Sequence, residues 1–190
     1  MKEQILSKNY LIWGFLKKVN NNYLKDICLQ NYNNRMSKNI AESRSEDIVL
    51  PDKDPEIMDM VSKLNKLFYK KYKENLRLTN YWAQVHFKGE CTMPHDHLDV
   101  NDLFFKNPNT PDMSGVYYVD APKHSGDLVF EYWVSQYHQE RWRVSPETGK
   151  YLLFPSGLKH RVLKNLTNDA RICISFNFRK HIERSKDEVE

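Results

Sequence analysis

Apolar positions along the chain change their period near residue 79. Before that point they recur at helical steps. Asp54-Pro55 reads as an acidic cap followed by proline at the first helical position. Behind it Ile57, Val61, Leu64 and Phe68 form one stripe that carries a helix to about Tyr72. Upstream, Asn20 to Asn22 offer a cap for a helix with Leu24, Ile27 and Cys28 on one face. Between the two, Ser37 to Lys53 is polar without a sustained period and reads as a loop. From Asn80 onward the pattern becomes short β-branched and aromatic segments separated by turn residues. Candidate strands are Tyr81–Phe87, Gly115–Val119, Asp127–Trp133, Glu140–Val144, Lys150–Phe154, His160–Leu163 and Ala170–Phe178. Turn signals such as Pro122-Lys-His-Ser-Gly126, Pro146-Glu-Thr-Gly149 and Pro155-Ser-Gly157 lie between them. Such a series predicts a two-sheet β structure, a sandwich or jelly roll, with the N-terminal helices packed outside one sheet.

Length and composition narrow this picture. A chain of 190 residues is long enough for one domain with its own core, read as helical support over 1–78 and a β core over 79–180. Hydrophobic residues make up 40 % and charged residues 28 %, a globular balance. The apolar runs Tyr10 to Trp13 and Tyr151 to Phe154 are too short to cross a bilayer. The opening MKEQILSKNYLIWGFLKK carries no small-residue cleavage site, which argues against a secretory signal. Cys28, Cys91 and Cys173 are few and far apart, as expected of free thiols in a reducing cytoplasm. The net charge of +4 is mild, and its densest group (Lys66, Lys70, Lys71 and Lys73) reads as a solvated helix face. A nucleic-acid partner is therefore not expected.

Candidate chemistry begins with Pro94-His95-Asp96-His97-Leu98-Asp99. On an extended segment, side chains two apart face the same way, so His95 and His97 converge, and Asp99 follows if the strand continues. Imidazoles and carboxylates at this spacing suit a divalent transition metal; they also occur in polar loops that merely face water. His160, after the Pro155–Lys159 turn, is a candidate third ligand, although a histidine at a strand end needs no metal. Two near-adjacent ligands and one distant ligand leave open positions on an octahedral metal, the logic of facial-triad iron oxygenases. In Arg171-Ile-Cys-Ile-Ser-Phe-Asn177, alternation puts Arg171, Cys173, Ser175 and Asn177 on one face. A guanidinium inside a small barrel needs an anion, either an internal acid or a bound carboxylate gripped by its fork. His86, His124, His138 and His181 fit no ligand spacing and are expected to be ordinary surface or loop residues.

These segments together resemble the prolyl-hydroxylase-type oxygenases dependent on iron(II) and 2-oxoglutarate, most closely their small bacterial and phage members. Phe87-Lys-Gly89-Glu-Cys-Thr-Met-Pro-His95-Asp-His97 is similar to the family's first-ligand segment, with a glycine six positions before the first histidine. Ser114-Gly-Val-Tyr-Tyr-Val119 and Ser125-Gly-Asp-Leu-Val-Phe130 resemble the next two strands. Leu152-Leu-Phe-Pro-Ser-Gly-Leu-Lys-His160 resembles the approach to the last ligand, and Arg171 to Asn177 the final strand. The resemblance spans Trp82 to Phe178 and implies a double-stranded β-helix, jelly-roll or cupin-like, behind its supporting helices. It implies His95 and His160 as iron ligands and Arg171 as the clamp on the distal carboxylate of 2-oxoglutarate. Tyr118 matches a position whose hydroxyl can join that clamp, or else an aromatic filling the barrel. The chain departs from the family where a carboxylate is expected two after the first ligand and His97 stands instead. His97 is retained as the second ligand, because the small members tolerate HxH; the alternative is a frame using His97 and Asp99, which breaks the glycine spacing by two.

The activity implied is O2-dependent decarboxylation of 2-oxoglutarate to succinate, coupled to hydroxylation of a protein side chain, amino acid or small molecule. Leu98 to Met113 and the Tyr132 to Trp142 region are expected to frame the substrate, with Phe104, Phe105, Trp133, Tyr137 and Trp142 either lining it or closing the core. Two competing readings remain. One is a cupin-like three-histidine metalloenzyme that does without 2-oxoglutarate, and the other a non-catalytic barrel that binds a metal or ligand.

Overall fold

The computed structural model describes residues 10–37, 47–104 and 107–181. The middle of the expected loop (38–46), the first part of the N-terminal segment (1–9) and Phe105 lie outside the described residues.

Two helices form where the apolar stripes place them. In α1 (Asn21–Ser37) the Asn20 side chain accepts from Tyr23 N at 3.1 Å, capping the first turn. In α2 (Pro55–Tyr72) Asp54 Oδ1 accepts from the backbone N–H groups of Glu56 and Ile57 at 3.0 and 3.1 Å, with Pro55 at the first helical position. That helix ends at Lys73, whose left-handed backbone turns its N–H onto Tyr69 O. Its buried face is Ile57, Met60, Leu64 and Phe68, each stabilising the packed state by roughly 1.5–3 kcal/mol.

Among the described residues, nine strands make two antiparallel sheets. These are β1 (Ile12–Phe15), β2 (Asn75–His86), β3 (Thr92–His95), β4 (Met113–Asp120), β5 (Leu128–Ser135), β6 (His138–Val144), β7 (Lys150–Pro155), β8 (His160–Val162) and β9 (Arg171–His181). One sheet runs β1-β7-β4-β9-β2 and the other β3-β8-β5-β6, which is the double-stranded β-helix. All seven expected strands are present, several of them longer than expected; β1 and β3 are additional. A short helix, α3 (Val100–Phe104), lies in the segment read as a loop.

The centre of the five-stranded sheet is buried on both faces, and this explains why β4 and β7 read as nearly continuous apolar runs, while β9 alternates apolar residues with the inward-facing Arg171, Ser175 and Asn177. Outward, Tyr117, Val119, Leu153, Ile172, Ile174 and Phe176 join the α1 and α2 stripes in one cluster. Inward, Val116, Tyr118, Leu152, Phe154 and Cys173 meet Leu128, Phe130 and Val162 of the opposite sheet. The helices thus cover the outer face, and the space between the sheets is left for side chains of alternating register. The lysines at 66, 70, 71 and 73 are exposed, as expected of a solvated face, and the three cysteines are free thiols. No helix among the described residues is long and apolar enough to cross a membrane.

Candidate metal centre

Strand pairing brings the histidines together. β3 lies against β8 with His95 directly opposite His160, so the segment beginning the site and the strand after the Pro155–Lys159 turn are neighbours. The strand ends at His95, but His97 stays aligned because its backbone N–H donates to Ser156 O at 2.9 Å. One ring nitrogen from each of His95, His97 and His160 lies within 4.8 Å of the others. Asp99 does not join them. It is exposed, and its Oδ1 accepts from Asn101 N at 2.7 Å while its carbonyl accepts from Leu103 N, capping α3.

Each imidazole has its Nδ1 assigned to an oxygen acceptor. His95 Nδ1–H donates to Met93 O and His160 Nδ1–H to Leu158 O, both at 2.8 Å. His97 Nδ1–H donates to Asn177 Oδ1 at 2.8 Å. The tautomers that follow leave Nε2 of His97 and of His160 as bare lone pairs facing each other, with a ring nitrogen of His95 converging on them. His97 Nε2 and His160 Nε2 are 3.3 Å apart. Two lone pairs at that distance repel unless a cation lies between them. Two imidazoles on one metal, each with a bond of about 2.1 Å, would separate their nitrogens by roughly 3.0–3.4 Å. Burial lowers the His97 pKa to about 4 and that of His160 to about 3, with the nearby imidazoles adding to the effect, so both are neutral ligands at pH 7.

The orientation of His97 depends on a buried polar relay. Asn177 Oδ1 also accepts from Ser114 Oγ at 2.8 Å, and Ser114 Oγ in turn pairs with Ser156 Oγ at 2.9 Å. With its one hydrogen spent on Asn177, Ser114 must accept from Ser156. Outer partners of this kind fix ligand tautomer and orientation. Asn177→Ala is therefore expected to weaken metal binding by about 10–100-fold, measured by competition with a chromogenic chelator.

Arg171, 1 % exposed, opens onto the same pocket. That pocket reaches solvent and is lined by the three histidines, Trp82, Phe154 and Arg171 among others. Arg171 is the one permanently charged side chain among its described lining residues. The guanidinium lies 5.0 Å from the centre of the Tyr118 ring, and among the described residues no carboxylate pairs with it. Arg171 Nε and Tyr118 Oη are buried and neither meets a partner in good hydrogen-bond geometry, although the two side chains lie close enough to interact with each other. Burial pushes the Tyr118 hydroxyl up to about 12, so it remains a donor. Orphaned donors around an uncompensated buried cation fit an anionic ligand.

The sequence profile of the family described as "Putative 2OG-Fe(II) oxygenase" matches residues 80–177, about half of the chain. The chain belongs to the 2OG-Fe(II) oxygenases. As a member it is an oxygenase whose cofactors are iron(II) and the cosubstrate 2-oxoglutarate. No curated protein matches it in sequence. Among solved structures, a Pseudomonas putida prolyl-4-hydroxylase aligns at TM-score 0.60 and 16 % identity over 90 % of this chain and 92 % of its own. AviO1 of Streptomyces viridochromogenes aligns at 0.64 and 14 % over 90 % of each chain. HygX of Streptomyces hygroscopicus, solved with nickel and 2-oxoglutarate bound, aligns at 0.57 and 14 % over 90 % of this chain and 81 % of its own. At these identities the likeness is one of fold, the jelly roll of the 2OG-Fe(II) oxygenases.

One reading of the sequence is corrected. His86 is not a surface or loop residue: it is 1 % exposed and directly opposite Arg171 in the β2–β9 register. Its signal was the cross-strand pairing, which no spacing along the chain reveals. His124, His138 and His181 are exposed, as expected. The Tyr132 to Trp142 region is the β5–β6 hairpin and not a loop, and the aromatics of the two expected segments do not close the core, since Phe104, Trp133, Tyr137 and Trp142 are all exposed.

Proposed function

We propose that this oxygenase is a hydroxylase whose iron is held by His95, His97 and His160, and whose 2-oxoglutarate is held at its distal carboxylate by Arg171 and Tyr118. One observation carries the reading: three converging imidazoles and an uncompensated buried guanidinium line a single pocket. The donor set fits the metal, because three imidazoles on one side leave other positions available for cosubstrate and oxygen. When bound, iron(II) and 2-oxoglutarate supply oxidative decarboxylation to succinate and carbon dioxide, coupled to oxidation of a substrate C–H bond.

The chain's own residues do the rest. Asn177, Met93 and Leu158 hold the three imidazoles in the ligating tautomer through Nδ1. Phe154, Leu128 and Val162 line the pocket with apolar surface and exclude water from it. The Arg171 fork and the Tyr118 hydroxyl supply donors where a carboxylate has to sit. Beside His95 and His97 a second depression opens, lined by Asp47, Asn80, Thr92, Asp96 and Asn177. Its polar lining supports a hydrophilic substrate, an amino acid, a small molecule or a polar protein side chain.

Anaerobic titration with iron(II) and then 2-oxoglutarate tests the reading. The expected result is a visible metal-to-cosubstrate charge-transfer band, followed on admitting O2 by succinate release that rises with the right substrate. Tight iron binding without the band would favour a three-histidine enzyme that does not use 2-oxoglutarate. Neither band nor iron retention would leave a ligand-binding barrel.

A further inference from the structure

Arg171 is held by a residue that the proposed reaction does not otherwise use. The His86 imidazole sits between the two sheets. Its Nδ1 lies 3.0 Å from Arg171 Nη1 on β9, and its Nε2 lies 3.0 Å from Thr92 Oγ1 on β3. Arginine is always a donor, so Nδ1 must be the unprotonated nitrogen, and in the neutral ring Nε2 then carries the hydrogen and donates to Thr92. This tautomer is opposite to that of the three converging histidines, whose Nδ1 atoms all donate.

Neutrality is the property that matters. A buried guanidinium is usually steadied by a carboxylate, whose charge would cancel the attraction for an incoming anion. Here the steadying group is an uncharged acceptor, and among the described residues no carboxylate competes. Burial and the adjacent arginine hold the His86 pKa down to about 3, so the ring does not become a second cation. The backbone is fixed as well: His86 and Arg171 are direct cross-strand partners, and His86 O accepts from Asn165 Nδ2 at 2.9 Å.

We propose that His86 is a positioning residue for the 2-oxoglutarate clamp, fixing the Arg171 guanidinium through a neutral acceptor and so leaving its charge for the cosubstrate carboxylate. The inference rests on the reading that Arg171 grips that carboxylate. Three substitutions separate charge from shape. His86→Asn keeps an acceptor oxygen near the place of Nδ1, His86→Leu removes the acceptor, and His86→Asp has the shape of asparagine with an added negative charge.

Calorimetric titration of 2-oxoglutarate into the zinc-loaded proteins reads the effect without turnover. The Kd is expected within about threefold of wild type for Asn, about tenfold weaker for Leu, and a hundredfold or more weaker for Asp. Zinc affinity should be equal in all of them, and in the iron enzyme the KM for 2-oxoglutarate should rise while kcat at saturation holds for Leu. Equal 2-oxoglutarate affinity for Asn and Asp, alongside binding that is lost in Arg171→Met, would overturn the role of His86 alone. Binding that survives Arg171→Met would overturn the clamp itself. Nitrogen NMR of the unsubstituted protein gives a check independent of variant folding: His86 should show a bare Nδ1 and a protonated Nε2. A proton on Nδ1 would overturn the proposal.

Discussion

His160→Gln is expected to abolish iron retention and, with it, 2-oxoglutarate-dependent succinate release, while the β-helix stays folded. Loss of an outer partner alone costs about 10–100-fold in metal affinity, so removing a ligand from a three-ligand site should exceed that range. Glutamine is the better probe than alanine because His160 is 4 % exposed and packed against Phe130 and Phe154, where truncation would leave a cavity. The metal-free protein offers a second readout. The unfolded His160 has the ordinary histidine pKa near 6.5 and the folded one about 3. Between those values the unfolded state binds the extra proton, so stability is fully present above pH 6.5 and is lost as the pH falls towards 3. Each such histidine contributes up to about 1.4 kcal/mol per pH unit in that window. His160→Gln should make the acid slope of apo-protein stability shallower by up to that amount, measured by urea unfolding at a series of pH values. A variant that still retained stoichiometric iron would remove His160 from the ligand set.

Much of this arrangement is legible in the sequence, for identifiable reasons. The central strands of the five-stranded sheet, β4 and β7, are apolar on both faces and β9 alternates, and such runs announce themselves. The Arg171 to Asn177 alternation carries through intact: Ile172, Ile174 and Phe176 meet the helices, while Arg171, Ser175 and Asn177 turn towards the site. The two missed strands lack that signal. β1 has four residues and pairs on one side only, with β7. β3 contains Pro94, and its register is broken between Thr92 and His95, so no period survives in it. Gly89 was marked by its distance from His95, and its physical requirement is now plain. With φ 85° it turns the chain between β2 and β3, and its N–H donates to Asn165 O at 2.7 Å.

Pairwise relations across sheets are what the one-dimensional pattern omits. The choice between His97 and Asp99 turns on where the extended segment stops. Asp99 had a local signal of its own, an acidic residue two before Asn101 that can cap a helical turn, and the chain uses it so. His86 carried no local signal at all, because its meaning comes from lying opposite Arg171 on one strand and within reach of Thr92 on another. Asn177 was placed on the inward face by alternation, but its partnership with His97 required the turn after β3 to be known.

Arg171→Met is expected to weaken 2-oxoglutarate binding by roughly two to three orders of magnitude without lowering the stability of the cosubstrate-free protein. Breaking a buried charge pair by removing one partner costs about 3–5 kcal/mol, and about 1.4 kcal/mol is tenfold in Kd. Stability of the cosubstrate-free protein changes in the opposite direction. A guanidinium buried without a counter-ion carries a desolvation penalty of several kcal/mol, which an apolar side chain of similar length relieves. Against that stands the acceptor of His86, which would lose its donor at a cost of about 1–3 kcal/mol. The balance puts the variant level with the unsubstituted chain or above it in thermal unfolding of the cosubstrate-free form. At a cosubstrate concentration of 100 Kd, the unsubstituted protein gains about 2.7 kcal/mol and the variant close to nothing. The order of melting temperatures should therefore invert when 2-oxoglutarate is added to the metal-loaded proteins. Arg171→Lys should fall between the two, since an ammonium keeps the charge but loses the fork and the fixed contact to His86. A methionine variant that melts lower than the parent without cosubstrate, and gains as much from it, would make Arg171 a packing residue. The inversion would mark it as a charge kept in place for its ligand at the expense of stability.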